Sequence, residues 1–117
     1  MEHVDKPWGG YITFARNEKV TVKILRLDKR EEMSLQSHKK RDEEWYIVKG
    51  RVRVQIGHSG EMLENMVLKK GDTVEIPRKV MHRASGIDDS LILEISRGEA
   101  DEEDIIRYDD KYGRAKK

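Results

Sequence analysis

The chain has 117 residues, with 24 Lys and Arg against 23 Asp and Glu, for a net charge of +1. That length suits one domain, and the balanced charge argues against a nucleic-acid binder that relies on an overall basic field. No run approaches the roughly 18 apolar residues of a membrane span, the start MEHVDKPWGGY lacks the apolar core of a signal peptide, and the absence of cysteine suits a cytoplasmic protein, with the Lys and Glu content pointing to a thermophile.

In chain order, residues 1–9 read as an irregular arm, since Lys6-Pro7-Trp8-Gly9-Gly10 interrupts any regular element. Tyr11–Ala15 and Val20–Leu27 read as strands, the second rich in β-branched residues, and Asp28–Glu32 as a charged turn. Met33–His38 and a strand opening at Glu43 flank the polar turn KKRDE. After Gly50, Arg51–Ile56 alternates strictly, with Val52, Val54 and Ile56 on one face. Glu61–Leu68 could be helical, but its Gly-marked flanks favour a strand. Thr73–Ile76 is a strand stopped by Pro77, and Val80–Ala84 and Ser90–Ser96 follow. Glu99–Tyr108 reads as a short helical turn, and 108–117 as a basic, frayed tail. About ten short strands at this spacing predict an all-β sandwich or barrel without linker or repeat.

The chemistry concentrates in Met33–Gly50. Gln36 and His38 stand two apart and share a strand face, as do Glu43, Trp45 and Ile47. A hairpin of this kind gathers an amide oxygen, an imidazole and a carboxylate, a mixed N and O shell for a divalent metal. His82 is the best fourth ligand. His58 lies in a turn and reads as a surface residue. Trp45 reads as core, and Trp8 as a wedge closing one end of the barrel. Lys39-Lys40-Arg41 reads as a solvated turn bordering the site, and alternation points Arg83 away from it.

The spacing resembles the cupin superfamily. Gln36-x-His38-x4-Glu43-x6-Gly50 follows its first motif, with Arg30 at the opening glycine. Gly71-x5-Pro77 with His82 follows its second, with Lys79 at the inner glycine and Gly86 where Asn is expected. More narrowly, three stretches resemble type II mannose-6-phosphate isomerases, including the C-terminal domain of bifunctional mannose-1-phosphate guanylyltransferases. They are Lys6-Pro7-Trp8-Gly9-Gly10-Tyr11, the stretch from Ser34 to Trp45, and the stretch from Asp104 to Arg114. The departures are Lys40 and Glu44, each where the family has His.

The resemblance implies a double-stranded β-helix (jelly-roll barrel), a single cupin domain over 1–117 with the metal inside. It implies one divalent transition metal (Zn, Co, Ni, Mn or Fe) on Gln36, His38, Glu43 and His82, and no other cofactor. It implies exchange of mannose 6-phosphate and fructose 6-phosphate through an enediol, as part of polysaccharide biosynthesis. Lys23, with Arg107 or Arg114, would grip the phosphate, and Lys40 and Glu44 are the candidates for proton transfer. The partners are then a sugar phosphate and a second copy in a homodimer, with no nucleic acid or membrane. Nothing resembles a nucleotide-binding loop, so the guanylyltransferase half is not expected. The rival readings are a non-catalytic sugar- or metal-binding cupin and an isomerase or epimerase of another sugar phosphate.

Overall fold

The alternating sequence folds as eleven strands, and no helix, among residues 2–113, the part of the chain that the computed structural model describes. They are β1 Glu2–Lys6, β2 Gly9–Thr13, β3 Thr21–Leu27, β4 Leu35–Ser37, β5 Arg41–Lys49, β6 Arg51–Gly57, β7 Glu64–Lys69, β8 Thr73–Ile76, β9 Met81–Gly86, β10 Ser90–Gly98 and β11 Ile106–Asp109. Two antiparallel sheets, ordered β3-β10-β5-β8 and β11-β4-β9-β6-β7, supply the walls. One wall gives Leu27, Trp45, Ile47, Ile76 and Ile92 to the core, and the other gives Val52, Val54, Leu68 and Ala84. Each large apolar side chain fully buried there contributes about 1.5–3 kcal/mol.

Both walls follow from the period of two. In β6, Val52 and Val54 are buried while Arg51 and Arg53 are exposed. In β5 the phase continues through Arg41, Glu43, Trp45 and Ile47, all buried. Trp45 is core, as read from the sequence. The strand read over Glu61–Leu68 is β7, but only from Glu64 to Lys69, where it pairs along its length with β6.

Four expectations fail. The N-terminal arm is a hairpin, with β1 and β2 in register from Glu2↔Thr13 to Lys6↔Gly9. Pro7 and Trp8 form its reversal, so the Pro-Gly stretch turns the chain without ending its pairing. Trp8 is 74% exposed at that tip and closes nothing. Glu99–Tyr108 is not helical either: a turn at Glu102–Glu103 leads into β11, which lies beside β4. The open edge of β4 offers backbone groups that a strand satisfies and a single helical turn does not. The tail reading fails at its start, because Tyr108 and Asp109 belong to β11; Arg114 and the residues after it lie outside the described residues.

The two motif glycines that are missing leave their backbone signature behind. Arg30 and Lys79 both have φ +68, the left-handed region that glycine adopts freely. The turns are held by backbone bonds, Arg30 N–H to the Gly86 carbonyl at 2.8 Å and Lys79 N–H to the His38 carbonyl at 2.7 Å. At Gly50, with φ +81, a Cβ would stand 2.6 Å from the Asp89 carbonyl oxygen, so glycine is required between β5 and β6.

Candidate metal centre

Cross-strand registers build the site. Arg107, Gln36 and His82 stand opposite one another across β11, β4 and β9. Lys23, Glu94 and Trp45 do the same across β3, β10 and β5. Directly opposed residues share a face, so the two rows confront each other across the barrel. Between them lies a cavity of about 220 Å³ lined by Lys23, Gln36, His38, Arg41, Glu43, Trp45, Glu94, Glu102 and Arg107, among others. His82 is fully buried behind it, with Trp45 edge-on at 5.7 Å between ring centroids.

His38, Glu43 and His82 each bring a ligand atom within 4.8 Å of the others. The backbone fixes both imidazoles. His38 Nδ1 lies 2.6 Å from the Asp104 carbonyl oxygen, and His82 Nδ1 lies 3.0 Å from the Val80 carbonyl oxygen. A carbonyl only accepts, so each Nδ1 donates, and a ring in its neutral form carries its lone pair on Nε2. Both Nε2 atoms face Glu43, at 3.7 Å from Oε2 for His38 and 3.5 Å from Oε1 for His82. Two ligands about 2.1 Å from one tetrahedral ion stand about 3.4 Å apart, so these spacings suit a shared cation. Among the described residues His82 Nε2 is buried without a hydrogen-bond partner, the mark of a lone pair awaiting one. The donor set therefore fits a divalent transition metal.

Charge in the cavity is arranged around Glu43. Burial alone would raise its pKa, but His82 and His38, when protonated, and the Arg41 guanidinium hold it well below the usual carboxylate range. Burial pushes the Glu94 carboxyl up to about 7, and the neighbouring Glu43 adds to the rise. Burial lowers the His38 pKa, against the pull of the Asp104 carbonyl and Glu43. Asp104 also caps the turn before β5, its carboxylate accepting from Lys39 N–H at 3.1 Å and Lys40 N–H at 2.8 Å.

Residues 1–110 match the family described as mannose-6-phosphate isomerase C-terminal. The chain belongs to that family. Among curated relatives, mannose-1-phosphate guanylyltransferase ManC of Salmonella typhimurium and xanthan biosynthesis protein XanB of Xanthomonas campestris are each 32% identical over 95% of this chain. Alginate biosynthesis protein AlgA of Pseudomonas aeruginosa is 30% identical over the same share. The chain spans 23% of the length of each of these relatives. Solved structures place it in the cupin fold. Oxalate decarboxylase OxdC of Bacillus subtilis superposes with a TM-score of 0.71 at 20% identity, over 79% of this chain and 25% of that one. The sugar 3,4-ketoisomerase QdtA of Thermoanaerobacterium thermosaccharolyticum gives 0.69 at 19% identity, over 91% and 82%.

Within this family frame, the structure gathers some of the expected residues and scatters others. Gln36, His38 and Glu43 line the cavity, with His82 behind them. Lys23 and Arg107 line it too; Lys23 is ion-paired with Glu102, and the buried Arg107 Nε has no hydrogen-bond partner among the described residues. Arg114 lies outside the described residues. Neither proton-transfer candidate reaches the cavity. Lys40 is exposed and pairs with Glu99 at 3.4 Å. Glu44 is buried on the opposite face of β5, near Arg97 at 3.8 Å, because alternation turns it away when Glu43 points in. His58 is exposed, and Arg83 bonds to Glu32 and Asp109 rather than lining the site.

Among the cavity residues that sequence reasoning misses, two bear on the chemistry. Arg41 was read as part of a solvated turn, yet it is 5% exposed and donates from Nε to Glu43 Oε2 at 3.0 Å. The alternation that points Glu43 inward also points Arg41 inward, two positions earlier. Glu94 is the carboxylate in the inward phase of β10, between buried Ile92 and Ser96, and accepts from Ser96 Oγ at 3.2 Å. Its signal was a charge in the core register of an apolar strand.

Proposed function

We propose that the chain is a metal-dependent aldose–ketose isomerase that interconverts mannose 6-phosphate and fructose 6-phosphate. The observation that carries this reading is one cavity with a metal donor set on its floor and two cations, Lys23 and Arg107, on facing walls. Membership in the mannose-6-phosphate isomerase C-terminal family supports the sugar.

His38, Glu43 and His82 would hold the ion, with Gln36, directly opposite His82, as the fourth ligand. A divalent metal bound there supplies a Lewis acid for the carbonyl and the developing enediolate oxygens. Lys23 and Arg107 grip the phosphate and set the sugar's reach into the cavity. Three carboxylates line that space: Glu43 is committed to the ion, Glu102 to Lys23, and Glu94 remains. Glu94 therefore takes the C2 proton and returns it at C1, in the place first given to Lys40 or Glu44. Trp45, 1% exposed on the cavity floor, limits water around the enediol.

The test is turnover of mannose 6-phosphate by the purified chain, stripped with chelator and reloaded with each of Zn, Co, Ni, Mn and Fe. Activity is expected to vanish with chelation and return with a metal. Glu94→Gln should lower kcat by about 100-fold or more, the lower end of the range for general acid–base catalysis being about 100-fold, while Glu44→Gln leaves it unchanged. A chain that binds sugar phosphate but turns over none of a sugar-phosphate panel with any of these metals is a binding module instead.

A further inference from the structure

We infer that Arg41 is a built-in counter-cation of the metal centre, seated on the atoms a metal would take, and that an incoming ion must displace it. The inference rests on the metal reading above and adds a competitor to it.

Three observations carry it. Arg41 is almost wholly buried, so its guanidinium is placed by the fold. Its Nε donates to Glu43 Oε2 at 3.0 Å and its Nη2 donates to His38 Nε2 at 3.2 Å. The second bond consumes the lone pair of His38, because His38 Nδ1 is already donating to the Asp104 carbonyl. A guanidinium has donors and no acceptor, so it can fill a ligand's lone pair but never ligate beside it. Arg41 and a metal thus draw on the same nitrogen and the same carboxylate.

An orienting group behaves otherwise. It bonds the far atom of a ligand and leaves the metal-facing atom free, and its loss weakens metal binding by about 10–100-fold. Asp104 has that geometry at His38 and the Val80 carbonyl has it at His82. Arg41 has the reverse geometry, so its removal should strengthen binding. Nη1 also donates to the Asp101 carbonyl at 3.3 Å, on the loop that borders the cavity. That bond gives the displaced side chain an anchor away from the ion. In the metal-free chain Arg41 offsets the Glu43 carboxylate, so the centre stays assembled and a loosely held cation does not suffice to open it.

The experiment titrates zinc chloride into chelator-stripped full chain by calorimetry, for wild type, Arg41→Gln and Arg41→Lys. Arg41→Gln should bind zinc about tenfold or more tightly than wild type, the scale set by losing a charge-assisted hydrogen-bond partner. Arg41→Lys, which keeps a cation, should stay near wild type. A second readout needs no variant. In ¹⁵N NMR of wild type, the Arg41 Nε–H should be protected from exchange without metal and lose that protection at one equivalent of zinc. Zinc bound by wild type, with equal or weaker binding by Arg41→Gln, overturns the inference and spares the metal centre. So does an Nε–H that stays protected with zinc bound. No zinc uptake by either protein overturns both.

Discussion

Glu43→Gln removes one charge from the centre and keeps the side chain's shape. Glu43, 4% exposed, faces Arg41 Nε at 3.0 Å and the two imidazoles at 3.5 and 3.7 Å. Breaking a buried ion pair by removing one partner costs about 3–5 kcal/mol. Here the glutamine oxygen can still accept from Arg41, and Glu94 is freed from Glu43's repulsion to ionise as a substitute counter-charge. The net cost is therefore closer to about 2 kcal/mol, the value of a hydrogen bond to a charged group. For a domain of this size that lowers Tm by roughly 6–12 °C. The pH dependence has a definite sign. Glu43 is held below its unfolded value of 4.5, so its contribution is present above that pH and is lost as the pH falls toward about 2. The assay is urea and thermal unfolding in chelator from pH 7 to pH 3, with exposed Glu64→Gln as control, then both repeated with zinc. Wild type should gain about 2.7 kcal/mol at free zinc 100-fold above Kd, and Glu43→Gln far less. A variant as stable as wild type in chelator, with the same gain from zinc, would refute the reasoning.

The remaining predictions concern neighbouring parts of the same structure. Lys79→Gly should raise stability by up to about 1 kcal/mol, because φ +68 strains any side chain there, while Lys79→Val should lower it by more than that; urea midpoints decide. Ile47→Ala, at a fully buried core position, should cost about 2–5 kcal/mol by the same measurement. Lys23→Ala should act mainly on KM for mannose 6-phosphate, since a phosphate grip is equal in ground and transition states. Lys40→His should leave kcat and KM alike unchanged, because Lys40 sits in solvent beside Glu99; a tenfold change in steady-state kcat/KM would put it back in the site.

The local period of two determined much of this protein without help. It set the phase of β5 and β6, so Glu43, Trp45, Val52 and Val54 pointed inward as read, and His38 and His82 could be paired by motif spacing. The same rule was legible at Arg41 and Glu94, but the polarity of the KKR run and of a lone glutamate outweighed it. Pairing between distant segments was not legible. β11 looks helical by its own residues, and becomes a strand because β4, some 70 residues earlier, has backbone groups to satisfy at its edge. Its placement carries Arg107 to the cavity and the Asp104 carbonyl to His38. Only the tertiary structure could choose the imidazole tautomers, since that choice depends on which carbonyl meets each Nδ1. Residue types and spacings gave the donors; the meeting of two sheets gave their directions, their neighbours and the cation already among them.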